Sequence, residues 1–286
     1  MMFLSKGKFK ADGKMLLLAP ANAVVPESFR HVRHDADTHR DLLTETQKMR
    51  GAVYLADRAI EANSLLPDGR HYTPGDHESW HIVTLDADGS PAGCARYLPY
   101  SASVTEISRV SVGRSALASS PRWASHLAKA VQHQMQLARR RGVSFIELGG
   151  WALREEFRCS TEGLRIALAT YALSRKLGGG IGLTTATVRH NSATMLRKLG
   201  GASLEIDGTE IPKYYDPQYR CDMEILRFDS STPNPRFEAW IDRIDAQLGA
   251  IPIVTAARPQ PAIERESMPV FARAQAGQME LTAQFS

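Results

Sequence analysis

Residues 144–201, SFIELGGWALREEFRCSTEGLRIALATYALSRKLGGGIGLTTATVRHNSATMLRKLGG, decide how the rest of the chain is read. Their pattern predicts a strand over Ser144–Leu153, a small polar turn, and a long amphipathic helix capped by Ser160 and Thr161. The helix runs to Leu177, where glycines 178–180 stop it. A second strand is expected over 181–188, and Asn191 or Ser192 opens a short helix that ends at Gly200 and Gly201. A strand feeding a helix through such a turn leaves backbone N–H groups free, and the helix dipole adds to their pull on an anion. A cofactor site, if the chain has one, belongs at that turn.

Length and composition set the frame around this stretch. The chain of 286 residues is long enough for one large domain with decorated ends, and its apolar fraction of 43% is ordinary for a globular enzyme. A net charge of +4 is too mild to argue for nucleic acid. It suits acidic ligands such as a phosphorylated cofactor or an acidic carrier protein, and a plain solvated surface explains it equally well. Cys94, Cys159 and Cys221 are scattered, which favours a reducing compartment over a disulfide framework or a zinc site. No apolar run approaches the roughly eighteen residues of a membrane helix. The segment MLLLAP near the start has an apolar core of only about five residues, short of the roughly seven of a signal peptide. The expected location is the cytoplasm.

Residues 1–35 lack a sustained period and read as a loosely ordered lead-in. His31, His34 and His39 have no partner at metal-ligand spacing. Residues 37–63 have helical spacing, with Leu42, Leu43, Met49, Val53, Tyr54 and Ile60 on one apolar face and Arg50 and Arg58 outside it. A polar loop holding His71, His77 and His81 follows, without the helical context of a metal-binding HEXXH motif. From Trp80 the pattern is a hairpin turning at Asp88-Gly89. Residues 105–112, TEISRVSV, alternate like another strand, and 121–141 read as a helix whose terminal arginines complement its dipole. After Gly201 come a short strand over 202–206, an aromatic loop with Tyr214, Tyr215 and Tyr219, a strand over 221–228 and a helix over 235–248. The composition of 250–286 points to an extended or disordered tail, leaving 36–249 as the domain.

This order of elements resembles the GCN5-related N-acyltransferase (GNAT) superfamily. Arg158-Cys-Ser-Thr-Glu-Gly163 resembles the family's pyrophosphate turn, and Asn191, Lys198 and Gly200 fall where its next helix begins and ends. Within the superfamily, three passages are similar to the acyl-homoserine-lactone synthases and the long-chain N-acyl amino acid synthases. They are the polar loop DGRHYTPGDHESWHIV, the strand AGCARYLPY, which places Arg96 at the family's arginine, and Glu106-Ile-Ser-Arg109. Glu147-Leu-Gly-Gly150 competes with the last for the same role. The likeness spans 50–228. The turn keeps only the arginine and one glycine of its pattern, Leu196 stands at the usual tyrosine, and the helix over 121–141 is an insertion or a shifted register.

The resemblance implies an α/β (α+β) fold with a mixed, mostly antiparallel central sheet, flanked by helices and splayed between two central strands. It implies an N-acyltransferase that moves a medium or long acyl group from an acyl carrier protein or coenzyme A thioester to the amine of a small molecule such as an amino acid. The alternatives are an acetyl-CoA-dependent N-acetyltransferase and a GNAT-fold binding module without catalysis. Glu147 or Glu106 is the candidate base, with His190 as a proton relay; salt-bridged carboxylates and a turn histidine are the structural alternatives. Arg154, Arg158, Ser160, Thr161, Gly163 and Asn191 are the candidate donor-binding residues, although Glu155 and Glu156 can pair with the two arginines. Arg96, Arg109, Trp151 and Tyr215 are candidates for substrate contact. No metal is implied.

Overall fold

In chain order, the computed structural model describes residues 14–257, beginning with β1 (Lys14–Ala19), β2 (Val32–His34) and α1 (Ala36–Ala56). The hairpin β3 (Trp80–Leu85) and β4 (Pro91–Tyr100) follows, then α2 (Ala124–Arg140), β5 (Ser144–Leu153), α3 (Glu162–Lys176), β6 (Gly180–Thr187) and α4 (Ser192–Leu199). The remainder is β7 (Ala202–Ser203), β8 (Glu205–Ile206), β9 (Thr209–Glu210), β10 (Tyr214–Asp216), β11 (Cys221–Asp229), α5 (Glu238–Leu248) and β12 (Ile253–Thr255). The main sheet has the order β10-β11-β6-β5-β4-β3-β1-β12-β2, with β7 also pairing on β11. Its neighbours are antiparallel except β5–β6, β1–β12 and β12–β2.

The sheet is coated on both faces. Leu127, Val131 and Met135 of α2 pack on Phe145, Ile181 and Leu183, while Leu43 of α1 meets Leu16, Leu18 and Val83. On the other face Ile166, Leu168 and Leu173 of α3, with Ile241 and Ile244 of α5, cover Leu17, Ile82, Tyr97 and Ile146. The quoted stretch folds as its pattern predicts, with β5 spanning Ser144–Leu153 and α3 ending before Gly178 and Gly179, whose φ angles are +90° and +94°. The hairpin turns as expected, Asp86 accepting the amides of Asp88 and Ser90 at 3.0 and 2.9 Å.

Three expectations fail for identifiable reasons. Within the expected lead-in, β1 is an inner strand, and Leu17, Leu18 and Ala19 have no exposure at all. A strand covered on both faces shows an apolar run rather than alternation. Within the expected tail, Ile253–Thr255 is likewise an inner strand between β1 and β2. Residues 1–13 and 258–286 lie outside the described ones. Residues 105–112 form no strand: Ile107–Arg109 and Ser111–Arg114 are 3-10 turns. Val110 and Val112 are buried beneath α2, and the Ser111 amide is drawn to Glu147 instead of a neighbouring strand.

The parallel pairing of β5 with β6 places Ile146 against Gly182, and a Cβ on Gly182 would stand 2.2 Å from the Ile146 carbonyl oxygen. Gly182→Ala is therefore expected to destabilise the protein by about 1–3 kcal/mol through overpacking. Urea unfolding checks this, and an unchanged midpoint would contradict the close approach.

Candidate active site

β5 and β6 are hydrogen-bonded only from Ser144↔Gly180 to Glu147↔Leu183. Beyond that rung β5 continues along β4 as far as Leu153, and β6 continues along β11 as far as Thr187. The two strands part, and a cavity of about 640 Å³ opens between Leu148–Leu153 and 184–187. A bulge bends β5 at this point, where Cys94 pairs with Ala152 but Arg96 pairs with Gly149. Gly150, in the bulge, has φ +61°, and a Cβ there would lie 3.0 Å from Arg50 Nη1. Both the left-handed backbone and the arginine beside it require glycine.

Four buried charges sit at one end of the cavity. Arg50 of α1, 1% exposed, donates through Nη2 to Asp76 at 2.6 Å and to the His71 carbonyl at 2.5 Å. Asp76 also accepts from Gln47 at 2.9 Å and from the Thr73 amide at 3.1 Å. Arg96 of β4 lies 3.9 Å from Asp76 and donates to Glu147 at 2.8 Å and to the Pro74 carbonyl at 2.9 Å. Glu147 further accepts from Tyr100 at 3.0 Å, from the Ser111 amide at 2.8 Å and from the Ser111 hydroxyl. Burial would raise the Asp76 carboxyl, but the guanidiniums of Arg50 and Arg96 hold it below the usual carboxylate value. His71 and His81 are each lowered to about 4, by burial first; Arg50 adds to this, while Asp76 opposes it.

The other end of the cavity meets the start of α3. The Arg165 amide is the first to bond within the helix, to the Thr161 carbonyl, so Gly163 and Leu164 have no carbonyl one turn back for their N–H groups. Ser160 accepts from the Glu162 amide at 3.1 Å and donates to the Phe157 carbonyl. Arg158 grips Asp57, the C-cap of α1, with two bonds of 2.8 and 2.9 Å. Leu196 and Leu199 of α4, with Phe237, add an apolar wall.

This geometry sorts the residues singled out from sequence. Arg96, Glu147, Trp151, Arg158, Ser160 and Gly163 all line the cavity. Thr161 precedes α3 but makes no side-chain cap, Ser160 being the residue that accepts an α3 amide. Arg154 is turned to Asp86 and Glu156, at 2.8 and 2.5 Å, and is not a lining residue. Asn191, with φ +59°, precedes α4 without capping it, and Ser192 lines the cavity instead. Glu106 and Arg109 are exposed around a 3-10 turn, so of the two rival motifs only Glu147-Leu-Gly-Gly150 lies on a strand at the cavity. Tyr215 is 56% exposed and is not a lining residue, whereas Tyr219, four residues on, is one. The His190 side chain lies outside the described ones.

Sequence reasoning placed Arg50 outside the apolar face of α1 and passed over Asp76. Arg50 in fact lies on the buried stripe His39, Leu43, Thr46, Arg50, Val53. A charge at helical spacing within an apolar stripe was the available signal, since a buried arginine requires a buried partner. Among the described residues no group of three His, Cys, Asp or Glu is placed to hold a metal, and no helix is long and apolar enough to cross a membrane.

No family model and no curated protein matches the chain. Among solved structures, the CoA-dependent acyl-homoserine lactone synthase BjaI, with SAM and isopentyl-CoA, superposes with a TM-score of 0.51 at 12% identity, covering 92% of this chain and 99% of that one. Its complex with MTA gives the same values. FeeM, an N-acyl amino acid synthase from uncultured soil microbes, reaches a TM-score of 0.44 at 9% identity over 77% of this chain and 92% of its own, too loose an overlap to carry an argument. The fold is thus GNAT-like, a mixed and mostly antiparallel sheet flanked by helices, of the kind found in acyl-homoserine lactone synthases.

The two depressed imidazoles tie stability to pH. Between pH 6.5 and about 4 the unfolded chain takes up protons on His71 and His81 that the folded chain excludes, so stability falls on acidification. The expected loss is on the order of 2 kcal/mol per imidazole by pH 5. Urea unfolding at pH 7.5, 6 and 5, with His81→Gln reducing the slope, checks this; equal midpoints across the series would exclude it.

Proposed function

We infer that the chain is an N-acyltransferase that moves an acyl group from a thioester donor to the amine of a small molecule. The observation that carries this reading is the cleft between the parting strands, with the start of α3 at one end and the four-charge cluster at the other. The free inner edges of β5 and β6 suit the amides of a pantetheine arm, which is held by backbone bonds rather than charge. The unbonded amides of Gly163 and Leu164, aided by the helix dipole, suit the phosphate at the arm's far end. Holding donor and acceptor side by side in the cleft supplies much of the rate acceleration.

The donor is read as a coenzyme A or acyl carrier protein thioester, and the acyl chain as longer than acetyl. The cavity of about 640 Å³ has room for such a chain, and a second pocket of about 40 Å³ beside Ala167, Tyr171 and Phe228 shares Leu196 and Leu199 with it. Three cysteines without disulfide partners, Cys94, Cys159 and Cys221, accord with a reducing cytoplasm. The acceptor, an amino acid or a similar amine, would enter beside Arg96 and Glu147. One rival reading has a specific observation in its favour. Glu147 already accepts four hydrogen bonds, as a carboxylate would in a module that binds a thioester without transferring it.

Purified protein incubated with acyl-CoA and acyl-carrier-protein thioesters, from acetyl to palmitoyl, and pooled amino acids should yield an acyl amide by mass spectrometry. Intact thioesters with no amide would refute transfer. Leu196→Trp, which narrows the apolar wall, should lower kcat/KM for the preferred long donor at least 10-fold and shift preference toward shorter chains.

A further inference from the structure

Thioester aminolysis needs a group that takes the proton of the attacking amine, and the cleft holds few groups able to do so. Asp57 is bound by both arms of Arg158. Glu147 is filled by Arg96, Tyr100 and Ser111, and giving it a proton would break charge-assisted bonds and leave Arg96 buried without its partner. Tyr54 and Tyr219 are pushed above the ordinary phenol value, chiefly by burial, so both keep their protons. His71 differs from all of these. It lines the cavity, is 5% exposed, and its Nδ1 is buried without a partner. Nor does any hydrogen bond or ion pair engage Nε2 among the described residues.

The backbone of His71 is held where its ring is not. Its amide donates to the Gln47 carbonyl at 3.1 Å, and its carbonyl accepts from Arg50 at 2.5 Å. The ring rests edge-on against Tyr54, with centroids 5.1 Å apart and planes at 71°. A buried ring nitrogen without a partner is an expensive arrangement, since polar groups in a protein interior are normally paired. Such a group is available to a bound molecule. The charged and titratable groups facing it are Arg50 and Tyr54 from α1, Asp76 from its own loop and Arg96 from β4.

We propose that His71 is the general base of this site, accepting the proton of the acceptor amine as it attacks the thioester. The proposal rests on the acyltransfer reading above. The amine lone pair forms the C–N bond, the tetrahedral intermediate collapses with cleavage of the C–S bond, and the nitrogen's proton passes to a His71 ring nitrogen. From there it goes to the departing thiolate, so the products are an amide and a free thiol, with no other reactant. Burial and Arg50 keep the free imidazole neutral at physiological pH, which leaves a ring nitrogen open to a proton but lowers its basicity, and the protonated form is correspondingly a strong donor to the thiolate.

The test uses the full chain and the thioester donor on which the wild type is active. His71→Phe keeps the ring against Tyr54 and the backbone bonds to α1, and should lower kcat by about 10²–10⁴-fold with the donor KM within about threefold of wild type. His71→Ala should lose activity equally and recover at least tenfold of it on addition of free imidazole, a response that a purely structural role would not give. Thermal unfolding of both variants confirms that they are folded. Wild-type-like kcat in folded His71→Phe, or no recovery of His71→Ala with imidazole, overturns the role of His71 while leaving acyl transfer intact. Absence of transfer by the wild type overturns both.

Discussion

Four buried charges, Arg50, Asp76, Arg96 and Glu147, constrain the rest of the structure. They come from a helix, a loop and two strands that are far apart in sequence, and their formal charges cancel. Neutralising a buried group is the condition for burying it, since an isolated ion in the interior is costly by many kcal/mol. The ion pairs give little net stability by themselves against an apolar replacement of equal volume. Their value lies in specificity: with Arg50 and Arg96 inside, the loop through Asp76 and the turn through Ser111 each have one satisfactory place. The 3-10 segment that contains Ser111 is held there in preference to pairing as a strand.

The same network shapes the cleft. Glu147 sits on the last hydrogen-bonded rung between β5 and β6, and its carboxylate accepts from Arg96 of the neighbouring strand β4. Immediately beyond it Gly150 bulges, making room for Arg50, and β5 turns away from β6. The bend that opens the cavity and the charges at its end are therefore one feature. The two carboxylates are filled by bonds from the cluster and its neighbours, so the acceptors left to meet a bound molecule lie just outside it. His71 is one of them, placed by Arg50 through its carbonyl but not engaged through its ring.

The legible part of the fold was the part governed by local pattern. Residues 144–201 carry strand alternation, helical periodicity and glycine stops within one continuous stretch, and the structure follows them nearly residue for residue. Arg96, Trp151, Arg158 and Gly163 fall at the cavity because their elements were read correctly. What escaped was decided by long-range contacts. TEISRVSV alternates convincingly, yet its fate is set by a carboxylate 36 residues away. Residues 14–19 show no period because both faces are covered, and residues 253–255 earn a place in the sheet only through strands far away in the chain. Arg50 is the instructive case: polarity suggested the outer face of α1, whereas its spacing matched the buried stripe.

The α3 end of the cleft follows from the same balance of charge. Arg158, the one charged residue of the phosphate turn that matches the family pattern, is committed to Asp57 by both arms. A guanidinium paired to a carboxylate attracts a phosphate far less than a free one, and the pair ties the end of α1 to the start of α3. What remains for an anion is the helix terminus itself, worth about half a unit charge and a few tenths to one kcal/mol at an exposed site. Such an end discriminates weakly between one phosphate and several. On the acyltransfer reading, affinity for a donor would come chiefly from the cleft, whose free backbone edges suit a pantetheine arm and whose apolar walls suit an acyl chain. On that reading the site would select its donor by the acyl group rather than by the carrier, since the lining of the cleft is mostly apolar side chains and backbone while Arg158, at its α3 end, is already paired.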